Sequence, residues 1–299
     1  MLGLIGVPSS AGAHGPGQEK APAALRNAGL LGALREAGLE LEDLGDLPVT
    51  RFQPDPANRK RQSQPQVIAV ARQVADRVAA AVERDLVPLV LGGDCSITLG
   101  VVAGLLRGQP DLGLMYFDGD ADMTTPETTH SGIFDSMGVS HLIGKGDPEV
   151  ARLGPSFPLL PAERITLFGF QPYEVEPNEQ RLLEASGIAR YPVTSMGDRP
   201  LERAAEALAR LEERARAIAV HFDVDVMDSA EIPLANWPHY GALSLGDAMR
   251  CLRVFVGTPK LAALVVTEIN PDHDPDGLLV AQFVDAFADA LRPVAAARR

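Results

Sequence analysis

The sequence predicts an α/β fold in which parallel strands are joined by crossover helices, and three observations carry that expectation. Short runs rich in Val, Ile and Leu recur along the chain, apolar throughout as strands buried on both faces are. Between them lie segments whose apolar residues return every three or four positions, the period of a helix with one buried stripe. The 299 residues have room for one large domain or two small ones, but no interior break in composition, repeat or low-complexity tract divides them, so a single domain over 1–299 is expected.

In chain order, the expected strands lie at residues 2–7, 87–91, 112–118, 165–170, 218–225 and 261–269. The first helical period runs through Val67, Val70, Val74, Val78 and Val82, with Pro65 near its start, where a missing amide does no harm. A second runs through Leu201, Ala204, Leu208 and Leu211. Cys251 falls in a helical pattern over 248–255 and reads as a packed core thiol. The Pro-rich stretch 154–161 reads as a surface loop. Strand, helix, strand, repeated, gives a parallel sheet, and ligands of such sheets sit beyond the carboxyl ends of the strands.

Composition bounds the function classes. The chain is 46% hydrophobic, 22% charged and 5% aromatic, which is ordinary for a soluble globular protein. Its 27 Lys and Arg stand against 40 Asp and Glu, a net charge of −13. Such a surplus argues against nucleic acid or an anionic membrane as partner, because both are held by neutralising phosphate. There is no basic leader and no apolar stretch near the roughly 18 residues of a membrane span. Cys95 and Cys251 lie far apart, so free thiols and a cytoplasmic location are expected.

Three expected strand ends carry chemistry. LVLGGDCSITLG ends a strand in Gly92 and Gly93 before Asp94, Cys95 and Ser96. LMYFDGDADMTTPETTHSG leaves its strand with Asp118, Asp120 and Asp122, and AVHFDVDVMDS carries Asp223 and Asp225. Residues two apart in extended chain share a face, so each group is expected to present its carboxylates together. A lone Asp-x-Asp is ordinarily a turn. Two such groups, each ending an apolar strand, would repel unless cations held them. Oxygen donors in that number suit Mn²⁺, Mg²⁺ or Ca²⁺, and shared carboxylates suit a two-metal site. On the third strand His221 falls on the face of Asp223 and Asp225. It reads either as a packed core imidazole or as a side chain that bonds the Cys95 thiolate or helps ligate the first metal.

The order GGDCS, DGDADMTTPETTHSG, FDVDVMD and TEINPDHD resembles the ureohydrolases, the arginase and agmatinase group, and the opening GVPSS and APAALRNAGL extend the likeness nearly end to end. The resemblance implies a three-layer α-β-α sandwich with a mainly parallel sheet of about eight strands, a centre of two Mn²⁺ ions, and hydrolysis of a guanidino or amidino C–N bond by a metal-bridging hydroxide. It also implies a small cationic guanidino or amidino substrate, urea or a urea analogue plus an amine as products, and a trimeric or hexameric homo-oligomer.

Carried over residue by residue, the resemblance places Asp118, Asp122, Asp223 and Asp225 at metal-binding aspartates, with Asp118 and Asp223 bridging. Both histidine ligands are replaced, one by Cys95 and the other by Asp120. Glu268 stands where the family faces the guanidinium with a carboxylate, and Asp135 where arginases have a His for proton transfer. Ser131 is kept among the groups that hold the amino acid's carboxylate. Thr124 and Ile133 replace two Asn there, which argues against plain arginine. Five aspartates and a thiolate make the centre about two charges more negative than four aspartates and two neutral imidazoles, lowering its Lewis acidity. The soft Cys95 leans its side of the site towards Zn²⁺ or Fe²⁺. Three other readings follow: an N-hydroxyarginine-type hydroxyguanidine hydrolase, a catalytically inactive binding or regulatory relative, and an amide hydrolase of the related deacetylase fold. His14, His130 and His239 fall in Gly/Pro-rich loops from which any could face the pocket, though an exposed loop His is more often inert; Trp237 reads as pocket lining or as a loop plug.

Overall fold

A computed structural model describes residues 1–296. Eight strands run through it: β1 (Leu2–Gly6), β2 (Leu41–Asp46), β3 (Val87–Leu91), β4 (Leu112–Phe117), β5 (Ile165–Phe168), β6 (Ala189–Tyr191), β7 (Ala217–Asp223) and β8 (Leu261–Thr267). They form one sheet in the order β2-β1-β3-β8-β7-β4-β5-β6, and every neighbouring pair is parallel. The last strand in the chain therefore lies at the centre, between β3 and β7.

Residues alternate across the sheet, as the pleat requires. Leu4, Leu89, Met115, Phe117, Val220, Phe222 and Val266 face one core; Ile5, Val90, Leu114, Tyr116, Ala219 and Val265 face the other. The first core is covered by helices α1 (Ala21–Asn27) and α2 (Leu30–Glu36), and the second by α3 (Gln64–Val82), α4 (Ile97–Leu105), α5 (Gly138–Leu142) and α6 (Pro177–Ser186). Helices α7 (Pro200–Glu212), α8 (Leu245–Val256), α9 (Leu278–Ala290) and α10 (Arg292–Ala296) return to the first. The result is a three-layer α-β-α sandwich. On the first side Phe117 and Phe168 set their rings edge-on to Phe255 of α8, at 5.4 and 5.0 Å between centroids, a geometry aromatic quadrupoles favour. Cys251 is fully buried in that core, and burial pushes its thiol up to about 12.

Two strands were not foreseen, and both are sheet edges. β2 reads LEDLGD and is half exposed, so it lacks the apolar run of a strand buried on both faces. Acidic side chains on an edge also discourage pairing with another chain. β6 is three residues long, too short for any period. The expected strands at 112–118, 165–170, 218–225 and 261–269 stop one or two residues early. At three of them the positions beyond the strand turn towards the pocket and bring Asp118, Asp225 and Glu268 to it. Residues 154–161 run through bends and turns, with Leu159 and Leu160 buried as anchors. No described helix is long and apolar enough to cross a membrane.

The turn after α5 is held by His141. It is fully buried, with Nδ1 donating to Met137 O at 2.6 Å and Nε2 accepting from Asp147 N at 2.9 Å. The second contact needs the neutral ring, and burial pushes its pKa down to about 4. A depressed histidine contributes fully above its unfolded value near 6.5 and loses that contribution as pH falls towards 4, at most about 3 kcal/mol here. Denaturant melts of the parent and of His141→Gln between about pH 7 and 4 are expected to converge as the acid loss disappears in the variant. Curves that stay parallel would exclude this role.

Candidate metal centre

The central strands β3, β8, β7 and β4 lie side by side, and their carboxyl ends deliver Cys95, Glu268, Asp223 and Asp118 to one pocket. The turn after β3 depends on its two glycines. A Cβ on Gly93 would lie 2.2 Å from Ser9 O, and one on Gly92 2.6 Å from Val266 O, contacts that only glycine avoids. The next residue, Asp94, is fully buried. It accepts from Ser9 Oγ, Gly12 N and Ser96 N at 3.2 Å each, tying residues 9–12 to the start of α4. Asp94 is thus a strut, and Cys95 beside it faces the pocket.

Cys95, Asp118, His221 and Asp223 form a buried group whose donor atoms all lie within 4.8 Å of one another. The Cys95 thiol donates to Asp223 Oδ2 at 2.6 Å and stands 3.8 Å from His221 Nε2. His221 Nε2 is 3.1 Å from Asp118 Oδ2 and 4.0 Å from Asp223 Oδ2. On its other side His221 Nδ1 meets Thr98 Oγ1 at 2.8 Å, and the ring stacks on Tyr116 with centroids 4.0 Å apart. A histidine held at Nδ1 presents Nε2 in a fixed direction, as ligating histidines do. Burial pushes its pKa down to about 3, so the ring is neutral, the form that ligates. The period of two placed His221 on this face, and it stands beside both the thiol and the carboxylates.

Asp120, Asp225 and His239 form a second group, again within 4.8 Å. The pairing of carboxylates by extended chain does not hold here. Asp120 N donates to Asp118 Oδ1 at 2.6 Å, and Asp225 N to Asp223 Oδ1 at 2.8 Å, the latter opening a 3₁₀ turn at Val224–Val226. Aspartates bond the backbone two residues on in this way. The turns send Asp118 and Asp223 to the first group and Asp120 and Asp225 to the second. Asp122 faces the same pocket but accepts the Tyr116 hydroxyl and belongs to neither group.

His239 is a correction to the sequence reading: it is fully buried. The loop after β7 closes on itself, with Ser229 N donating to His239 O at 2.9 Å, His239 N to Ser229 Oγ at 3.1 Å, and Gly241 N to Asp228 Oδ2 at 2.8 Å. That closure turns the imidazole inward. Burial alone would depress its pKa, but Asp120 and Asp225 overcome this and raise it to about 11, so without a cation the ring carries the proton that a metal bound there would displace. A Gly/Pro-rich loop gives no periodicity from which such burial could be read. The signal available was the pair of anions that needed a partner.

Asp135 and Glu268 share a third group with Cys95. Asp135 Oδ1 accepts from Cys95 N at 2.6 Å. Glu268 Oε2 accepts from Gln18 Nε2 at 2.9 Å, while Oε1 is buried without a partner among the described residues. Burial pushes the carboxyls of Asp118, Asp122, Asp135, Asp223 and Glu268 well above the ordinary range, and neighbouring carboxylates push further. Burial and Asp223 likewise raise the Cys95 thiol. Anions so placed must take up protons or cations. Asp122 and Glu268 also hold φ of 49° and 67°, which side-chain-bearing residues adopt at a cost.

Thr124, Ser131, His14, His130 and Trp237 line the pocket; Ile133 is buried outside it. The Thr124 hydroxyl is committed to Glu179, and Ser131 Oγ accepts from Ile133 N at 3.3 Å. His14 stacks against Trp237 at 6.0 Å.

With the geometry established, comparison with known proteins decides the family. The Arginase family model matches residues 1–289. The chain belongs to the arginase family. Arginase-1 of Homo sapiens is 32% identical over 275 residues, covering 90% of this chain and 85% of that protein. The solved arginase of Bacillus caldovelox superposes with a TM-score of 0.90 at 26% identity over 97% of each chain. The fold is shared at a TM-score of 0.75 and 19% identity with the proclavaminate amidino hydrolase of Streptomyces clavuligerus, over 99% of this chain and 92% of that one. Arginase-family enzymes are metal-dependent hydrolases acting on guanidino C–N bonds.

The donors present fit divalent cations: thiol, imidazole and carboxylates, mutually close, with no Lys or Arg among the described residues that line the pocket. A cation that binds only the folded chain, at about 100 times its Kd, adds about 2.7 kcal/mol of stability. Mn²⁺ is therefore expected to raise the Tm, and a chelator to reverse the rise. The shift should shrink in Cys95→Ser and His221→Ala, as calorimetry would register. A His221→Ala shift equal to the parent's would exclude His221 from the donors.

Proposed function

We propose that this protein hydrolyses a C–N bond of a small cationic guanidino or amidino compound other than plain arginine, releasing urea or a urea analogue and an amine. One observation carries the reading: a pocket of about 280 Å³ lined by ten carboxylates, those of Asp118, Asp120, Asp122, Asp135, Glu174, Glu176, Glu179, Asp223, Asp225 and Glu268, and by no Lys or Arg among the described residues. Cys95, Asp118, Asp120, Asp223 and Asp225 would hold two divalent cations, Mn²⁺ being the family's common choice, with Asp122 facing them and His221 beside Cys95. When bound, such ions supply a water-derived nucleophile at neutral pH and Lewis acidity at the reacting carbon.

The chain's own groups do the rest. Glu268 uses one oxygen to fix itself on Gln18 and has the other free to accept from a guanidinium N–H. Burial raises the Asp135 carboxyl above the ordinary range and Asp94 raises it further, which favours its protonated form. In the reaction water adds to the trigonal carbon, the C–N bond breaks, and the departing nitrogen needs one proton, which Asp135 would supply.

Substrate choice follows from the outer wall. Where the family resemblance puts groups that hold an amino acid's carboxylate, Thr124 is already bonded to Glu179 and Ile133 lies outside the pocket. Glu174, Glu176 and Glu179 line the same pocket, so a substrate carboxylate there would meet like charge. A guanidine with an amine at its far end, such as agmatine, suits the wall better. The donors Cys95 and Asp120, both anionic when they ligate, favour a second reading, an N-hydroxyguanidine of the N-hydroxyarginine type, a more reactive substrate that asks less of a weakly Lewis-acidic centre.

The Mn²⁺-loaded protein is expected to release urea from agmatine with kcat/KM at least about tenfold above that for arginine, equivalent to about 1.4 kcal/mol of discrimination. Hydroxyurea release from the N-hydroxyguanidine alone would favour the second reading. No urea or substituted urea from any guanidine in the panel would favour an inactive binding protein and overturn both.

A further inference from the structure

We propose that His239 is a metal ligand of this chain, completing a second cation site with Asp120 and Asp225, and that Glu174 positions its ring. The inference rests on the two-cation reading above and deepens it, because the loop carrying His239 is not where the family resemblance places a ligand.

Three independent features point to it. His239 is fully buried, yet among the described residues neither ring nitrogen has a well-directed hydrogen-bond partner. A buried polar group left in that state is costly. Here the ring edge faces two carboxylates, with Nε2 3.5 Å from Asp120 Oδ2 and 3.6 Å from Asp225 Oδ2. Those separations are too long for good hydrogen bonds. They match the spacing of two donors on one divalent ion, roughly 3.4 Å for tetrahedral ligands at about 2.1 Å from the metal.

The far side of the ring supplies the second feature. Nδ1 lies 3.0 Å from Glu174 Oε2, and a carboxylate behind one ring nitrogen orients the other towards a metal. The same plan recurs at the first group, where Thr98 stands behind His221 and Nε2 faces Asp118. Space is the third feature. Gly119, between Asp118 and Asp120, leaves room for the ring: a Cβ there would lie 2.4 Å from His239 Cδ2.

Together these features give each cluster one imidazole. The histidines absent at the Cys95 and Asp120 positions are matched by two others, brought in from β7 and from the loop that follows it. Asp120 then shares its cation with an imidazole that another segment provides.

Chelator-stripped protein titrated with Mn²⁺, with the free ion followed by electron paramagnetic resonance, gives stoichiometry and affinity without reference to turnover. His239→Ala is expected to bind one Mn²⁺ fewer than the parent. Glu174→Gln should keep the number and weaken one equivalent by about 10- to 100-fold. On the unmutated protein, ¹⁵N-histidine spectra recorded with diamagnetic Zn²⁺ should shift Nε2 of His239 on loading, a readout that does not depend on the variant folding. His239→Ala binding the parent's number of ions with the parent's affinities, or an Nε2 resonance unmoved by Zn²⁺, would overturn the assignment while leaving the two-cation reading intact. A parent that binds no Mn²⁺ would overturn both.

Discussion

Carboxylates held out of water at one sheet edge are the constraint on which the rest of this molecule turns. Strands β3, β8, β7 and β4 each end in a donor, and the sheet's parallel run puts all four ends on one side. The electrostatic cost of that gathering is carried by specific devices. Backbone amides of Asp120 and Asp225 bond the carboxylates two residues before them, Tyr116 bonds Asp122, and Gln18 bonds one oxygen of Glu268. These contacts satisfy some lone pairs and leave others directed into the pocket. The same electrostatics that would destabilise an empty cluster makes it a receptor for cations, and the acidic wall beyond extends the preference to a cationic substrate.

Much of the fold was legible because burial and period coincide in the interior strands. Runs such as VPLVL and LGLMYF are apolar on both faces because both faces meet helices. Edge strands escape that logic: β2 mixes acids and leucines, and β6 is too brief to hold a pattern. The aspartate groups were legible as chemistry but not as geometry. Two carboxylates in D-x-D point together only while the chain stays extended, and at Asp118 and Asp223 it turns. His221 could be placed from its parity with Asp223. His239 could not, since its burial is produced by a loop closing through Ser229 and Asp228, contacts that no local pattern announces.

Precision at the site is purchased with backbone constraints outside it. Gly92, Gly93 and Gly119 are each pressed against backbone or a ring that a methyl group would strike, while Asp122 and Glu268 hold a left-handed backbone despite their side chains. Such positions persist where the surrounding structure over-determines them. Asp94 supplies part of that surround, linking the first strand's exit loop to the turn that carries Cys95.

The place of β8 has a consequence for how the molecule is made. Without it the sheet is two separate pieces, β2-β1-β3 and β7-β4-β5-β6, because β3 and β7 touch only through β8. Cys95 belongs to the first piece, Asp118, His221 and Asp223 to the second. During synthesis the last strand to emerge is therefore the one that joins them, and contacts between segments so distant in sequence form late. The candidate cation site is assembled only once β8 is in place, and a ribosome that has reached Asp225 has written every aspartate of the site without yet having made it.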